Sequence, residues 1–361
     1  MPKIIDYPAQ FSHRKRSILP FEAQKATHDL GKAIRENQPI CQQLSHFRSS
    51  LSAVPACAVP RASDEIREIG QMYQGVKPST DLTERLRRLF KPQPRILDQL
   101  TKHPDLGWFL QFHSNGFVRQ AALQRLAASP VSPFEFSAIV YRLNDWVGNV
   151  RNAALNYAKQ AFPTTEPDIV AESAVFLLPQ SRILKRWDRD GQHQLENAIY
   201  RPEVLMQLKE RFLTIRAGRV GHTLQELLQR SDFDHHLEEL AQDATLPRVR
   251  AVAIDALLMR RAKWFIGYRH EWTDKVHGLK RRTAEFGMRH IERTVDFHAL
   301  LQNAAQDKSA HVRKVAGDVL IVTRGEATAE MDQIAQLLAS DRNPSVRSRA
   351  DFYLRRRATE G

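Results

Sequence analysis

The stretch DRNPSVRSRADFYL at residues 341–354 recurs in shortened form along the chain. The segment DKSAHVRKVAGDVL at 307–320 keeps the same residue types at the same spacing. Alignment of all the copies gives the pattern V-R-x-x-A-x-x-x-[L/A]. The copies begin at Val118, Val150, Val249, Val312 and Val346. A pattern that returns in this way predicts one structural unit used repeatedly.

Apolar residues within each copy follow the period of an α-helix. In the clearest copies they fall at positions i, i+3, i+4, i+7 and i+8, as in Val312, Val315, Ala316, Val319 and Leu320. This spacing places them on one stripe of a helix. The residue at i+4 is Ala in all five copies, and a methyl group there lets a second helix approach closely.

Each copy follows another apolar-periodic run, such as Met331 to Leu338, and a short turn. Asn343 and Pro344 supply an N-cap and a first-turn proline ahead of Val346. The predicted unit is therefore two helices and a turn, in roughly 33 residues.

The spacings between the copies predict further, weaker ones. The starts are 32, 99, 63 and 34 residues apart, so a degenerate copy is expected near residue 280. Lys280, Arg281, Ala284 and Met288 occupy its expected places. Two more copies are expected near 183 and 216, with a poor match in which only Val220 and Leu224 fit the second.

Such units hide their apolar faces by stacking on one another, which predicts an all-α fold, a superhelical α-α solenoid over residues 96–361. Helix pairs with an Asp in the turn and V-R-x-x-A on the second helix resemble HEAT-like repeats of the phycobilisome-lyase type. The resemblance covers about residues 96–357. It implies the solenoid fold and leaves the function open.

The repeated Arg has a structural explanation in an Asp six or seven residues before it. A carboxylate in the turn can cap the second helix and pair with the Arg of its own or the adjacent repeat. Because buried charges are generally paired, we expect a ladder along the stacked repeats. The predicted pairs are Asp145/Arg151, Asp243/Arg250, Asp274/Arg281, Asp307/Arg313 and Asp341/Arg347.

Residues 1–95 form a basic N-terminal extension without the repeat. They hold 16 Lys and Arg against 9 Asp and Glu, which is more than half of the net charge of +13. Prolines and small residues predict irregular structure up to residue 60, with one or two short helices at best. Helices are expected near 64–73 and 82–90. The extension either caps the first repeat or, as the basic HRKR at 13–16 suggests, reaches a partner as an arm.

Residues 258–293 combine 10 Lys and Arg against 4 Asp and Glu with several aromatic residues. Interleaved cations and rings are typical of a nucleic-acid surface, where cations meet phosphates and rings meet exposed bases. Alternatively, Trp264, Phe265 and Trp272 are core residues of an outer repeat helix. The candidate binding residues are Arg260, Arg261, Lys263, Trp264, Tyr268, Arg269, Trp272, Lys280, Arg282 and Arg289.

The sequence offers little for catalysis. The acidic and histidine-rich stretch SDFDHHLEEL at 231–240 reads as a solvated helix start rather than a metal site, because neighbours on a helix diverge by ~100°. No P-loop, zinc spacing or nucleophile elbow occurs. Some HEAT-like proteins that this chain resembles are DNA glycosylases for alkylated bases. That resemblance implies a basic groove in which a Trp, an Asp and an Arg lie near the damaged base. The candidate Trp and Asp pairs are Trp146 with Asp145, Trp187 with Asp188 and Trp272 with Asp274, although no family motif matches residue by residue.

Two Cys are too few for a disulfide framework, the N-terminus lacks the apolar core of a signal peptide, and no apolar run reaches the ~20 residues that span a bilayer. We therefore expect a cytoplasmic protein that binds no cofactor or metal and does not associate with a membrane. The leading hypothesis is a non-enzymatic scaffold that binds a protein partner through its concave face and residues 258–293. The alternative hypothesis is a nucleic-acid-binding protein.

Overall fold

The computed structural model describes residues 17–73, 96–180, 184, 186–218, 220–292 and 295–360. Over these residues the chain is mostly helical, with 18 α-helices and one two-stranded sheet. The predicted helical character is confirmed at this level. The chain divides into two compact units, residues 1–164 with 186–191 and residues 165–185 with 192–361. The domain boundary that we predict between residues 95 and 96 therefore falls inside the first unit.

The first unit begins with three helices, α1 (Phe21–Arg35), α2 (Cys41–Leu51) and α3 (Val59–Ile69). Over residues 17–60 the prediction of irregular structure with one or two short helices at best is therefore wrong, because α1 and α2 fill most of this range. Small residues that suggested loops pack in the core, as Ala58 and Ala62 do. Gly31 of α1 serves the same close packing, since a Cβ atom added there would lie 2.7 Å from the backbone oxygen of Gly70. The helix predicted near 64–73 overlaps α3, which begins earlier. The helix predicted near 82–90 and the HRKR segment lie outside the described residues.

Five further helices complete the first unit up to residue 164. They are α4 (Ile96–Lys102), α5 (Gly107–Leu110), α6 (Gly116–Arg125), α7 (Pro133–Leu143) and α8 (Gly148–Ala161). The V-R copies that start at Val118 and Val150 lie on α6 and α8, which contact each other. Buried aromatic rings from the N-terminal helices and from this part meet in one core, as in the edge-to-face pair of Phe47 and Phe109.

Ten further helices follow along the described chain. They are α9 (Pro167–Gln180), α10 (Arg189–Ile199), α11 (Pro202–Thr214), α12 (Val220–Leu227), α13 (Leu237–Asp243), α14 (Pro247–Leu258), α15 (Phe297–Gln306), α16 (Ala310–Val322), α17 (Ala329–Ala339) and α18 (Pro344–Glu360). The last three V-R copies lie on α14, α16 and α18, and each of these helices contacts the next in that series. Ala253, Ala316 and Ala350, at the i+4 position, are fully buried where these helices approach.

The two weak copies have different outcomes. Val220 and Leu224 are buried on α12, which contacts α14. The copy expected near 183 falls largely outside the described residues.

A long β-hairpin interrupts the second unit between α14 and α15. Strands β1 (Arg261–Asp274) and β2 (Leu279–His290) pair antiparallel, with bulges at Ile266 and Thr273. The degenerate helical copy predicted near 280 is therefore wrong. The residues that fitted it lie on a strand whose side chains alternate with period two, and Gly278, at a φ of 68°, closes the turn.

The V-R arginines act as connectors between successive helix pairs. Arg313 donates to the backbone oxygens of Asp307 and Lys308 in its own turn, and its Nη2 lies 3.0 Å from Oδ1 of Asp341 in the next turn. Arg250 relates in the same way to Asp307, with Nη2–Oδ1 at 2.9 Å. In the first unit Arg119 makes the corresponding bidentate pair with Asp145. Arg151 and Arg347 donate to the backbone oxygens of Asp145 and Asp341, respectively.

Two of the predicted pairs take no part in this arrangement. Asp243 is exposed, and Arg250 uses the backbone oxygens of Ala244 and Thr245 in its place. Asp274 and Arg281 lie on the hairpin, where Asp274 accepts hydrogen bonds from the turn residue His277. The spacing from Asp to Arg therefore has no helical role there, because both residues lie on strands.

Candidate nucleic-acid interface

The base of the hairpin is fixed to the helices of the second unit. Strand β1 contacts α12 and α14, and Ala262 is fully buried. From β2, Arg289 reaches the segment before α13: its Nη1 lies 2.7 Å from Oδ2 of Asp234, and its Nε donates to the backbone oxygen of Leu228 at 2.8 Å. These contacts hold the ends of the two strands that lie nearest the helices. The far end of the hairpin is exposed to solvent.

The absence of a side chain at Gly287 lets Trp264 lie across the ribbon. The two residues face each other in the strand register, and a Cβ atom at 287 would lie 2.3 Å from the indole. Trp264 is half-buried as a result. The ring packs on its own hairpin and not in the core of a repeat helix, so the alternative that made it a helical core residue is wrong.

The register divides the hairpin into two faces of different chemistry. We call one of them the cationic face, and none of its residues is acidic. It consists of Arg261, Lys263, Phe265, Tyr268, His270, Trp272, Lys280, Arg282, Ala284, Phe286, Met288 and His290.

Cations and rings on the cationic face lie in contact. The Arg282 guanidinium carbon lies 3.4 Å from the centre of the Tyr268 ring. Lys280 lies 4.0 Å from the centre of the Trp272 ring. Lys263 covers Phe286 in the same manner at 4.1 Å. Such contacts orient the side chains on the surface without neutralising their charges.

The opposite face balances its charges. Arg269 pairs with Glu271 and approaches Glu285, and Arg281 stands opposite Glu271 in the strand register. Two faces of one ribbon thus differ in net charge, although both carry arginines. An anion that meets the hairpin is attracted to the cationic face.

The cationic face continues into a small cavity at the base of the hairpin. The cavity has a volume of about 210 Å³ and lies between β1 and the helices α12, α14 and α16. Arg261, Lys263, Arg248 and His311 line it together with Asp255. Burial raises the pKa of the Asp255 carboxyl, and the nearby Arg261 and Lys263 oppose that shift. Burial and the charge of Arg248 lower the pKa of His311. Arg248 therefore extends the positive charge beyond the strands, whereas His311, with its lowered pKa, does not add to that charge at neutral pH.

The structure sorts the candidate residues by face. Arg261, Lys263, Tyr268, Trp272, Lys280 and Arg282 share the cationic face. Trp264, Arg269 and Arg289 lie on the opposite face, and Arg260 precedes β1 at a φ of 51°. Sequence reasoning left out Phe286, His270 and, on the helices, Arg248 and His311. The period-two alternation along 280–290 is the signal that identifies Phe286.

The other candidate centres hold their own partners. Asp145 is bound by Arg119 and Arg142, Asp188 accepts from the backbone nitrogen of Gly191, and Asp274 is held in the hairpin turn. In the stretch 231–240, Asp234 binds Arg289 and Asp232 binds Arg230. Among the described residues no group of three or more His, Cys, Asp or Glu is arranged to hold a metal ion.

Comparison with known proteins finds no matching family model and no matching curated protein. Among solved structures, a crystal structure of Uso1-1 is similar over 92% of this chain and 69% of that chain, with 14% identity and a TM-score of 0.26. A TM-score of that size carries no argument about fold or function. Within the part of the chain that the structure describes, no helix has the length and apolarity to cross a membrane.

Proposed function

We propose that this chain is a non-enzymatic, HEAT-like helical-repeat protein that binds nucleic acid through the cationic face of its hairpin. The observation that carries the proposal is the separation of the ribbon into an acid-free face of cations and rings and a charge-balanced face. The repeat interpretation is supported by the series of contacts among α14, α16 and α18 and by the Arg–Asp connectors between them.

Phosphate is the anion that this arrangement suits. Lys280 and Arg282 form no salt bridge with a carboxylate among the described residues, and Lys263 has the partly buried Asp255 of the cavity nearby. All three cations project from the ribbon on the side of the exposed rings. Phosphates fix the position of a nucleic acid on a protein, and aromatic rings offer contacts to its bases. An acidic protein surface matches the charges but gives the rings no comparable role.

Salt dependence tests the proposal. With three phosphate contacts, the logarithm of the binding constant is expected to fall with the logarithm of salt concentration at a slope of about −2 or steeper. The measurement is fluorescence anisotropy of a labelled 20-nucleotide strand and of the duplex of the same sequence, from 50 to 300 mM NaCl.

A polyglutamate of equal charge is the matched competitor. We expect it to displace nucleic acid only at far higher concentration. If neither oligonucleotide binds at 50 mM NaCl, or if polyglutamate competes equally well, the proposal is wrong. A protein partner with an acidic surface then remains as the hypothesis for this hairpin.

A further inference from the structure

The rings of the cationic face are unusually accessible for aromatic residues in a folded protein. Tyr268 and Trp272 are each 50% exposed and Phe286 is 41% exposed. The half-buried Phe265 packs against two of these rings, with its ring centre 4.9 Å from that of Tyr268 and 6.0 Å from that of Phe286. Large aromatic side chains are generally mostly buried, so a row of exposed rings on one face requires a reason.

From this row we infer that the nucleic acid taken by the cationic face is single-stranded, with its bases stacked on Trp272, on Phe286 and on the Arg282 guanidinium that lies over Tyr268. The inference rests on the proposed function and specifies its ligand. A single strand offers the flat faces of its bases, which every base possesses irrespective of sequence. A duplex hides those faces within its own stack and presents only base edges in its grooves.

The magnitudes favour exchange of the bound cation for a base. A cation over an exposed ring contributes little to stability in water. Stacking of a base on an aromatic ring generally contributes more. Lys280 can therefore leave the Trp272 ring when a base arrives, and its ammonium group becomes available to a phosphate of the same strand.

Arg282 needs no such displacement. Its guanidinium is planar and rests on the Tyr268 ring at 3.4 Å, so its outer surface is itself a platform for a base. The two kinds of cation thus act differently. A base replaces the lysine on the aromatic ring, whereas Arg282 stays on its ring and a base stacks on the guanidinium.

The shape of the ribbon is consistent with a strand that lies along it. From Lys263 to Trp272 the cationic face extends roughly 30 Å at about 3.3 Å per residue. Side chains from both strands contribute to it, and the cavity lined by Arg248, Arg261 and Asp255 lies at the base of the hairpin. A single strand can follow this path because its backbone is flexible.

The experiment compares labelled 12-nucleotide oligothymidylate and oligouridylate with a 12-base-pair duplex, using the full chain and the variants Tyr268→Ala and Trp272→Ala. Each variant is expected to weaken binding of the single strands by about 5- to 100-fold. Duplex binding is expected to change less than twofold. Trp146→Ala, which removes a 73% exposed indole from the first unit, is the matched control with no expected effect.

A second readout uses the fluorescence of Trp272. Stacking of a base quenches indole emission, so oligothymidylate should quench the full chain, and the quenched component should vanish in Trp272→Phe while most of the affinity remains.

Three results overturn the inference while leaving the proposed function intact: duplex binding as tight as single-strand binding, unchanged single-strand affinity in both ring variants, or no quenching of Trp272. Failure of all three oligonucleotides to bind overturns the proposed function instead.

Discussion

Arg313 and Arg282 are the same residue type in the same unit, and they have opposite surroundings. Arg313 is 8% exposed, bonded to Asp341 and to the backbone of its own turn. Arg282 lies on an exposed ring and has no carboxylate partner among the described residues. The comparison shows that arginines of this chain occupy two different environments, and the proposal of nucleic-acid binding concerns only the second.

The largest effect is expected from breaking the Arg313 pair. Asp341→Ala removes a carboxylate that accepts from Arg313 and from the backbone nitrogen of Asn343, and it leaves a buried cation unpaired. We expect the free energy of unfolding to fall by about 3 kcal/mol. Urea denaturation followed by circular dichroism measures it. Arg282→Ala is the control, with a change within about 0.5 kcal/mol, and equal losses would remove the distinction between the two arginines.

The hairpin base gives the next effect. Gly287→Ala places a Cβ atom 2.3 Å from the indole of Trp264, so the ring or the strand has to move. Overpacking of this kind costs about 1–3 kcal/mol. Amide hydrogen exchange in β1 and β2 should therefore accelerate. Gly267→Ala, which meets nothing within 4 Å, should leave exchange unchanged. Similar exchange in both variants would show that Trp264 does not fix the ribbon.

Acid should diminish the contribution of the Arg313 pair. The hydrogen bond from Arg313, opposed by burial, lowers the pKa of Asp341 below its ordinary value of 3.8. A depressed carboxyl pKa stabilises the folded state above the unfolded-state pKa, and this contribution is lost as the pH falls through the folded-state pKa. The stability difference between the wild-type chain and Asp341→Ala should therefore be constant above pH 5 and narrow below pH 3.8. A difference that does not narrow would contradict the charge interaction.

The sequence predicts the helices better than it predicts the hairpin. The copies at Val312 and Val346 are found because an apolar period of 3.6 residues, a fixed Ala and a turn with Asp all agree. The copy near 280 rests on four residues, while Gly287, Phe286 and the alternation around them favour a strand. The repeat spacing predicts a helix near 280, and the local alternation, which predicts a strand, is the correct signal.

The candidate site could be predicted in composition but not in geometry. Residues 258–293 are recognisable as basic and aromatic from the sequence alone. Which arginines share a face depends on strand register and on the bulges at Ile266 and Thr273, and neither can be read from the repeat. In the N-terminal helices, small residues predicted loops because composition does not reveal that residues such as Ala58 and Ala62 pack in the core.

Arg281 and Arg282 are adjacent, exposed and chemically identical, and the ribbon places them on opposite faces. The most direct test of the account is the affinity of Arg282→Ala and Arg281→Ala for one labelled single strand at 50 mM NaCl. The account predicts a loss of about fivefold or more for Arg282→Ala and less than twofold for Arg281→Ala. Equal losses in the two variants would mean that the ligand senses only the total charge of the hairpin, and the assignment of binding to one face would be wrong.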